Sequence, residues 1–166
     1  MRIGKRITAI VVIAIILIFN GVKAQVNIFY GEIGGAGYLP TINYERLFID
    51  NVVGRIGYGS TKRGNPENQT VNFFPFALSY LKGNQNRKFE FSGGVTILSG
   101  KLVRGRGDNK VQAKPITLYV GAGHRYQKSP RGLTLGYKIY YMKNGSMSAP
   151  WAGISIGWGY ESFNSI

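Results

Sequence analysis

From Gln25 onward, apolar residues alternate with small or polar ones, and no stretch keeps the i, i+3, i+4, i+7 spacing of an amphipathic helix. The pattern predicts an all-β chain. In the last strand Ala152, Ile154, Ile156, Trp158 and Tyr160 share one face, and Gly153, Ser155, Gly157, Gly159 and Glu161 the other. The preceding strand sets Leu133, Leu135, Tyr137, Ile139 and Tyr141 against Thr134, Gly136, Lys138, Tyr140 and Met142. Before it, Ile116, Leu118, Val120 and Ala122 oppose Thr117, Tyr119, Gly121, Gly123 and Arg125. The same rule gives Phe89, Phe91, Val95 and Ile97 against Glu90, Ser92, Gly94 and Thr96, and Phe74, Phe76, Leu78 and Tyr80 against Pro75, Ala77 and Ser79. Earlier strands pass through Val52, Ile56 and Tyr58, and through Ile42 and Tyr44. A first one lies near residues 27 to 35, where Phe29 and Tyr30, both aromatic, blur the alternation. Eight strands result, several about 9 to 12 residues long, which is what a tilted strand needs to cross a bilayer.

The composition of the two faces decides what surrounds them. In a soluble β-domain the apolar face points inward and the other carries the charges that keep a surface wet. Here that other face is mostly Gly, Ser, Thr and Ala. Small residues suit a narrow interior, so the reading inverts: large apolar side chains meet lipid, small polar ones line a lumen, and closure leaves no unpaired edge. The prediction is an eight-stranded, antiparallel, up-and-down transmembrane β-barrel. Connections two, four and six are short, whereas three and five, about 60–70 and 100–114, are long and polar, the asymmetry of outer-membrane barrels. The seventh, 143–150, is intermediate, and the first, 34–40, is shorter than that pattern predicts.

Depth gives a second test, because aromatic residues gather at both membrane boundaries. With alternating strand directions, Tyr44, Tyr80, Phe89, Phe91, Tyr126, Trp158 and Tyr160 fall near the rim that holds the termini, expected to be periplasmic. Tyr58, Phe74, Phe76, Tyr141 and Trp151 fall near the outer rim.

Composition then narrows the chemistry. The 166 residues include 21 Lys and Arg, 7 Asp and Glu, one His and no Cys, a formal balance of +14. Without Cys there is no disulfide framework, thiolate metal site or Cys nucleophile, and one His excludes a multi-His site. No metal or cofactor is expected. Residues 1–24 carry a basic start (Arg2, Lys5, Arg6), an apolar run from Ile7 to Phe19 and a small-residue end at Ala24, the order of a cleaved secretory signal peptide. An uncleaved inner-membrane anchor is the alternative. Residues 25–166 form the barrel domain, and export removes the protein from nucleic acid despite its charge.

Strand parity points Glu45, Arg55, Glu90, Arg125, Lys138 and Glu161 into the lumen, three of each sign. Unpaired they would be costly to bury, so they are expected to form a salt-bridge network; the functional alternative is a proton or ion path. The fifth connection holds Lys101, Arg104, Arg106, Lys110 and Lys114 against Asp108 alone, a basic patch suited to lipopolysaccharide phosphates or an ordinary solvated loop. His124, the sole candidate general base, sits on the outward face beside Tyr126, where an interfacial role is expected and catalysis is not.

The segments Leu39 to Phe48 (LPTINYERLF) and Ala149 to Tyr160 (APWAGISIGWGY) resemble small outer-membrane β-barrel proteins common in Bacteroidota. The final strand is similar to the C-terminal recognition strand of substrates of the barrel-assembly machinery, with Asn164-Ser165-Ile166 following Phe163 where an aromatic terminus is usual. The resemblance implies contact with outer-membrane lipid and that machinery. The reading reached is a monomeric, non-enzymatic outer-membrane barrel with a structural, surface-interaction or envelope-integrity role. A lipid A acyl hydrolase or acyltransferase, and a secreted or periplasmic barrel for a small apolar ligand, are the alternatives.

Overall fold

The computed structural model describes residues 26–49, 51–62, 70–84, 86–100, 103–104, 111–112, 115–128 and 131–161. The expected signal peptide therefore lies outside the described residues. Eight long strands close into one antiparallel barrel: β1 (Asn27–Gly34), β2 (Thr41–Ile49), β3 (Val52–Thr61), β4 (Val71–Gly83), β5 (Arg87–Ser99), β8 (Ile116–Gln127), β9 (Gly132–Asn144) and β10 (Met147–Tyr160). Each pairs with its neighbour in the chain, and β1 closes on β10 with Asn27 opposite Tyr160 and Gly34 opposite Gly153. In the fifth connection, β6 (Val103–Arg104) and β7 (Val111–Gln112) pair outside the barrel as a two-residue ladder that the alternation had not indicated.

The strands are staggered. Stepping sideways from Asn27 through Arg46, Gly54, Leu78, Gly93, Val120 and Tyr141 leads to Pro150. Because Gly153 faces Gly34, Pro150 is level with residue 37, ten residues along the chain from the start. That stagger tilts the strands and sets which inward side chains on different strands meet.

The hairpins are longer than the alternation suggested. Only Gly145 and Ser146 separate β9 from β10, so the seventh connection is a tight turn, with Gly145 at a φ of +64° that a glycine adopts freely. Pro75 stands fully buried within β4, unusual for a residue without an N–H. Facing it, the β3–β4 ladder lapses between Ile56↔Phe76 and Gly59↔Phe73 while the register continues unchanged.

The outer wall is apolar. Ile33, Ile42, Leu78, Ile139 and Ile154 are each more than 60% exposed, whereas Glu32, Asn43, Glu45, Thr96 and Thr117 inside are at most 1% exposed. This is the inverse of a soluble domain, and it needs lipid around it.

Candidate functional site: the filled lumen

The lumen is built in layers. At its centre six charged side chains from β1, β2, β3, β5, β8 and β9 meet: Glu32, Glu45, Arg55, Glu90, Arg125 and Lys138, all buried. Lys138 Nζ donates to Glu90 Oε1 at 2.7 Å, and Arg125 NH2 to Glu90 Oε2 at 2.7 Å. Arg125 NH1 also lies 2.6 Å from Glu45 Oε2, so one guanidinium bridges two carboxylates in the fork geometry that only Arg offers. The Tyr30 hydroxyl donates to Glu45 at 2.9 Å and accepts from Arg55 NH1 at 3.0 Å. Arg55 completes the chain, with NH1 3.4 Å from Glu32 and NH2 donating to the Tyr119 hydroxyl at 2.9 Å. Tyr140 donates to Glu32 at 2.8 Å and Tyr119 to the Phe76 carbonyl at 2.9 Å.

Three carboxylates face three cations, so the layer is neutral. Neutrality and mutual hydrogen bonding are what make six buried charges tolerable.

Toward the long connections the lumen is closed by the first one. Gly35–Gly37 forms a single 3-10 turn that enters the barrel, burying Ala36 and Tyr38 against Val71, Phe73, Leu98, Tyr119, Tyr140 and Met142. Thr96 Oγ1 donates to the Ala36 carbonyl at 2.6 Å, and the Tyr38 hydroxyl lies 2.8 Å from Thr117 Oγ1. The Tyr38 ring meets Phe73 and Trp151 at centroid distances of 6.2 and 6.1 Å. To reach in, Tyr38 takes a φ of +66°, a strained value for so large a residue. The loop is short because it is a plug rather than an outer loop. Toward the termini, Val26, Ile28 and Tyr30 pack together with Leu47.

The sequence placed Glu45, Arg55, Glu90, Arg125 and Lys138 inward, and these five meet in the lumen. Glu161 is a correction. It follows the last paired residue, Tyr160, and lies half exposed at the rim with Arg131 NH2 3.0 Å away. Glu32 takes its place in the charge balance. It was missed because Phe29 and Tyr30 hid the parity of β1; counting outward positions from Phe29 to Ile33 would have turned Tyr30 and Glu32 inward. The phenols of Tyr30, Tyr119 and Tyr140 were missed too, since an inward tyrosine in sequence gives no sign of its partner.

On the outer wall, Phe29 contacts Tyr44 and Tyr160 near the termini, at 5.0 and 6.0 Å. Tyr80, Phe89, Phe91 and Trp158 are exposed toward the same end, with Tyr126 half-buried. Toward the other end Tyr58 contacts the half-buried Phe74 at 5.4 Å, while Phe76 and Tyr141 face outward. Trp151 is a correction: it stands opposite the buried Tyr140, and its ring turns onto Tyr38 at the lumen mouth instead of joining the outer girdle. His124 lies between two rings, 5.5 Å from Phe89 and 6.0 Å from Tyr137. Of the basic patch, Lys101, Arg106, Lys110 and Lys114 lie outside the described residues, and Arg104 is described only by its backbone in β6.

No protein-family model and no curated protein sequence matches the chain. Solved structures do. The N-terminal β-barrel domain of Pseudomonas aeruginosa OprF superposes with a TM-score of 0.60 at 14% identity, over 85% of this chain and 100% of that one. The Yersinia pestis outer membrane protein Ail, in a phospholipid bilayer nanodisc, gives 0.51 at 13% identity, over 82% of this chain and 99% of that one. The fold is therefore that of a small outer-membrane β-barrel, and the apolar outer wall is the surface such a fold turns to lipid.

Proposed function

We propose that the protein is a non-enzymatic outer-membrane barrel with a structural, surface-interaction or envelope-integrity role and no diffusion pathway. The observation that carries this reading is the filling of the lumen. A neutral six-charge layer crosses its centre, and the Gly35–Tyr38 plug lies above it. Eight strands enclose little more than their own side chains, and here the interior is spoken for.

The long connections face the cell exterior and the short turns and chain ends face the periplasm, following the asymmetry of such barrels. The outer basic patch, with the exposed Lys62 and Lys143 at that end, meets lipopolysaccharide phosphates. The C-terminal strand is read by the barrel-assembly machinery, and the folded protein is a monomer without nucleic-acid partners. The likeness of its terminal-strand and β2 segments to Bacteroidota barrel proteins supports placing it among them. The rings flanking His124 favour an interfacial residue over a general base, and the apolar wall disfavours a soluble carrier.

Cells expressing the full precursor should yield the protein in the outer-membrane fraction, with gel mobility that changes on boiling and no current steps in planar bilayers. Stepwise conductance would replace the structural reading with a channel. Recovery in the soluble periplasm would make a ligand carrier the leading alternative.

A further inference from the structure

The charges of this barrel are segregated. Among the described residues Glu32, Glu45 and Glu90 are sealed in the lumen, and Glu161 is the one acid at the surface. Exposed cations stand at both ends, Lys62 and Lys143 at the long-connection end and a cluster of four at the short-turn end. Lys82, Arg87, Lys128 and Arg131 are all exposed: Lys82 lies in β4, Arg87 begins β5, and Lys128 and Arg131 lie in the turn joining β8 and β9, the two strands that follow β5 around the barrel. Each stands two residues beyond an outward apolar residue: Lys82 beyond Tyr80, Arg87 beyond Phe89, Lys128 beyond Tyr126 and Arg131 beyond Leu133. By strand parity they continue the lipid-facing side beyond its outermost apolar residues.

We propose that these four residues form a binding arc for anionic phospholipid headgroups in the leaflet at the short-turn end. Charge complementarity carries the argument. The lumen acids are already matched by Arg55, Arg125 and Lys138. Among the described residues Glu161 pairs with Arg131, while Lys82, Arg87 and Lys128 form no ion pair, which leaves cationic charge at this end for an external anion. Parity puts the cations beside the barrel wall, one step past its outward apolar residues, so the anion they suit is a lipid phosphate rather than a polymer beneath the barrel. Aromatic rings one step deeper position the acyl chains, and the cations take the phosphates. Assigning that leaflet to phospholipid rests on the orientation proposed above.

The test uses protein purified from membranes and exchanged into nanodiscs of phosphatidylcholine and phosphatidylglycerol in equal amounts. Native mass spectrometry then reads the lipids that remain bound on release. Phosphatidylglycerol should exceed its share of the disc, and added salt should reduce the excess. Lys82→Gln should lower the preference at its site by about fivefold, the factor that corresponds to one interfacial cation. Lys88→Gln removes a half-buried cation at the same end that points inward beside Arg125, and it should leave the preference unchanged. The quadruple Gln variant should retain the two lipids in the disc ratio. If it fails the boiling-dependent mobility check, the pairs Lys82→Gln/Lys128→Gln and Arg87→Gln/Arg131→Gln give the same readout. A bulk lipid ratio for the native protein, an excess that survives these changes, or selective retention of acidic cell-wall fragments instead would overturn the proposal. Both leaflets of the disc are alike, so a wrong orientation leaves this result standing; labelling of loop residues on intact cells tests orientation separately.

Discussion

Tyr140 stands directly opposite Gly121 across the β8–β9 ladder, and its ring covers the glycine so closely that a methyl group there would lie 2.7 Å from it. The relationship recurs. Tyr119 faces Gly94, Lys138 faces Gly123, and Tyr30 faces Gly157. Each large inward side chain crosses a residue that has none, which is how a narrow lumen holds a tyrosine and charge layer at all.

Gly121→Ala should therefore destabilise the barrel by about 1 to 3 kcal/mol, the usual cost of overpacking. The Tyr140 ring cannot retreat without disturbing its bonds to Glu32 and Arg55. Gly31→Ala, on the outer wall with nothing near the added methyl, should be close to neutral. Urea unfolding in lipid vesicles compares the two, and equal midpoints would remove the packing argument.

Arg125→Met should cost about 3 to 5 kcal/mol, because it leaves Glu45 and Glu90 buried with half their compensation. Arg125→Met combined with Glu45→Met should cost less than the sum of the two single changes. A double-mutant cycle on refolding free energies measures that coupling.

Ile139→Arg places a cation on the exposed outer wall and should cost about 2 to 4 kcal/mol if that position lies near the bilayer midplane. The lipid refolding titration reads it directly. An unchanged midpoint would mean that this face does not meet hydrocarbon.

Tyr38→Gly removes two ring contacts and the bond to Thr117 while relieving a left-handed φ. The opposing effects should leave a loss of about 1 to 2 kcal/mol, seen as a lower thermal transition. Planar bilayers should stay silent, since the charge layer beneath is untouched. Current steps from this variant would show that the plug alone holds the lumen closed.

His124→Ala should leave lipid A acylation unchanged in mass spectra of extracted lipid, because the imidazole packs between Phe89 and Tyr137. A changed acyl pattern would revive the enzyme reading.

By itself the sequence determined which face most strand residues take. Parity is a local property of an extended chain, so Ile154 and Ile156 go out and Gly153 and Ser155 in whatever their neighbours do. From that follow the strand number, the inverted wall and the inward direction of Arg55 and Lys138. What only the tertiary structure decided is who meets whom. The ten-residue stagger brings Lys138 to Glu90 over Gly123 and lets one guanidinium hold Glu45 and Glu90, and no local pattern encodes a register between strands tens of residues apart. The ends of the pattern were hidden for the same reason. Glu161 falls just past the last ladder pair while Glu32 sits inside one, and the Gly35–Tyr38 turn enters the lumen because Thr96 and Thr117, far along the chain, wait there with hydrogen bonds.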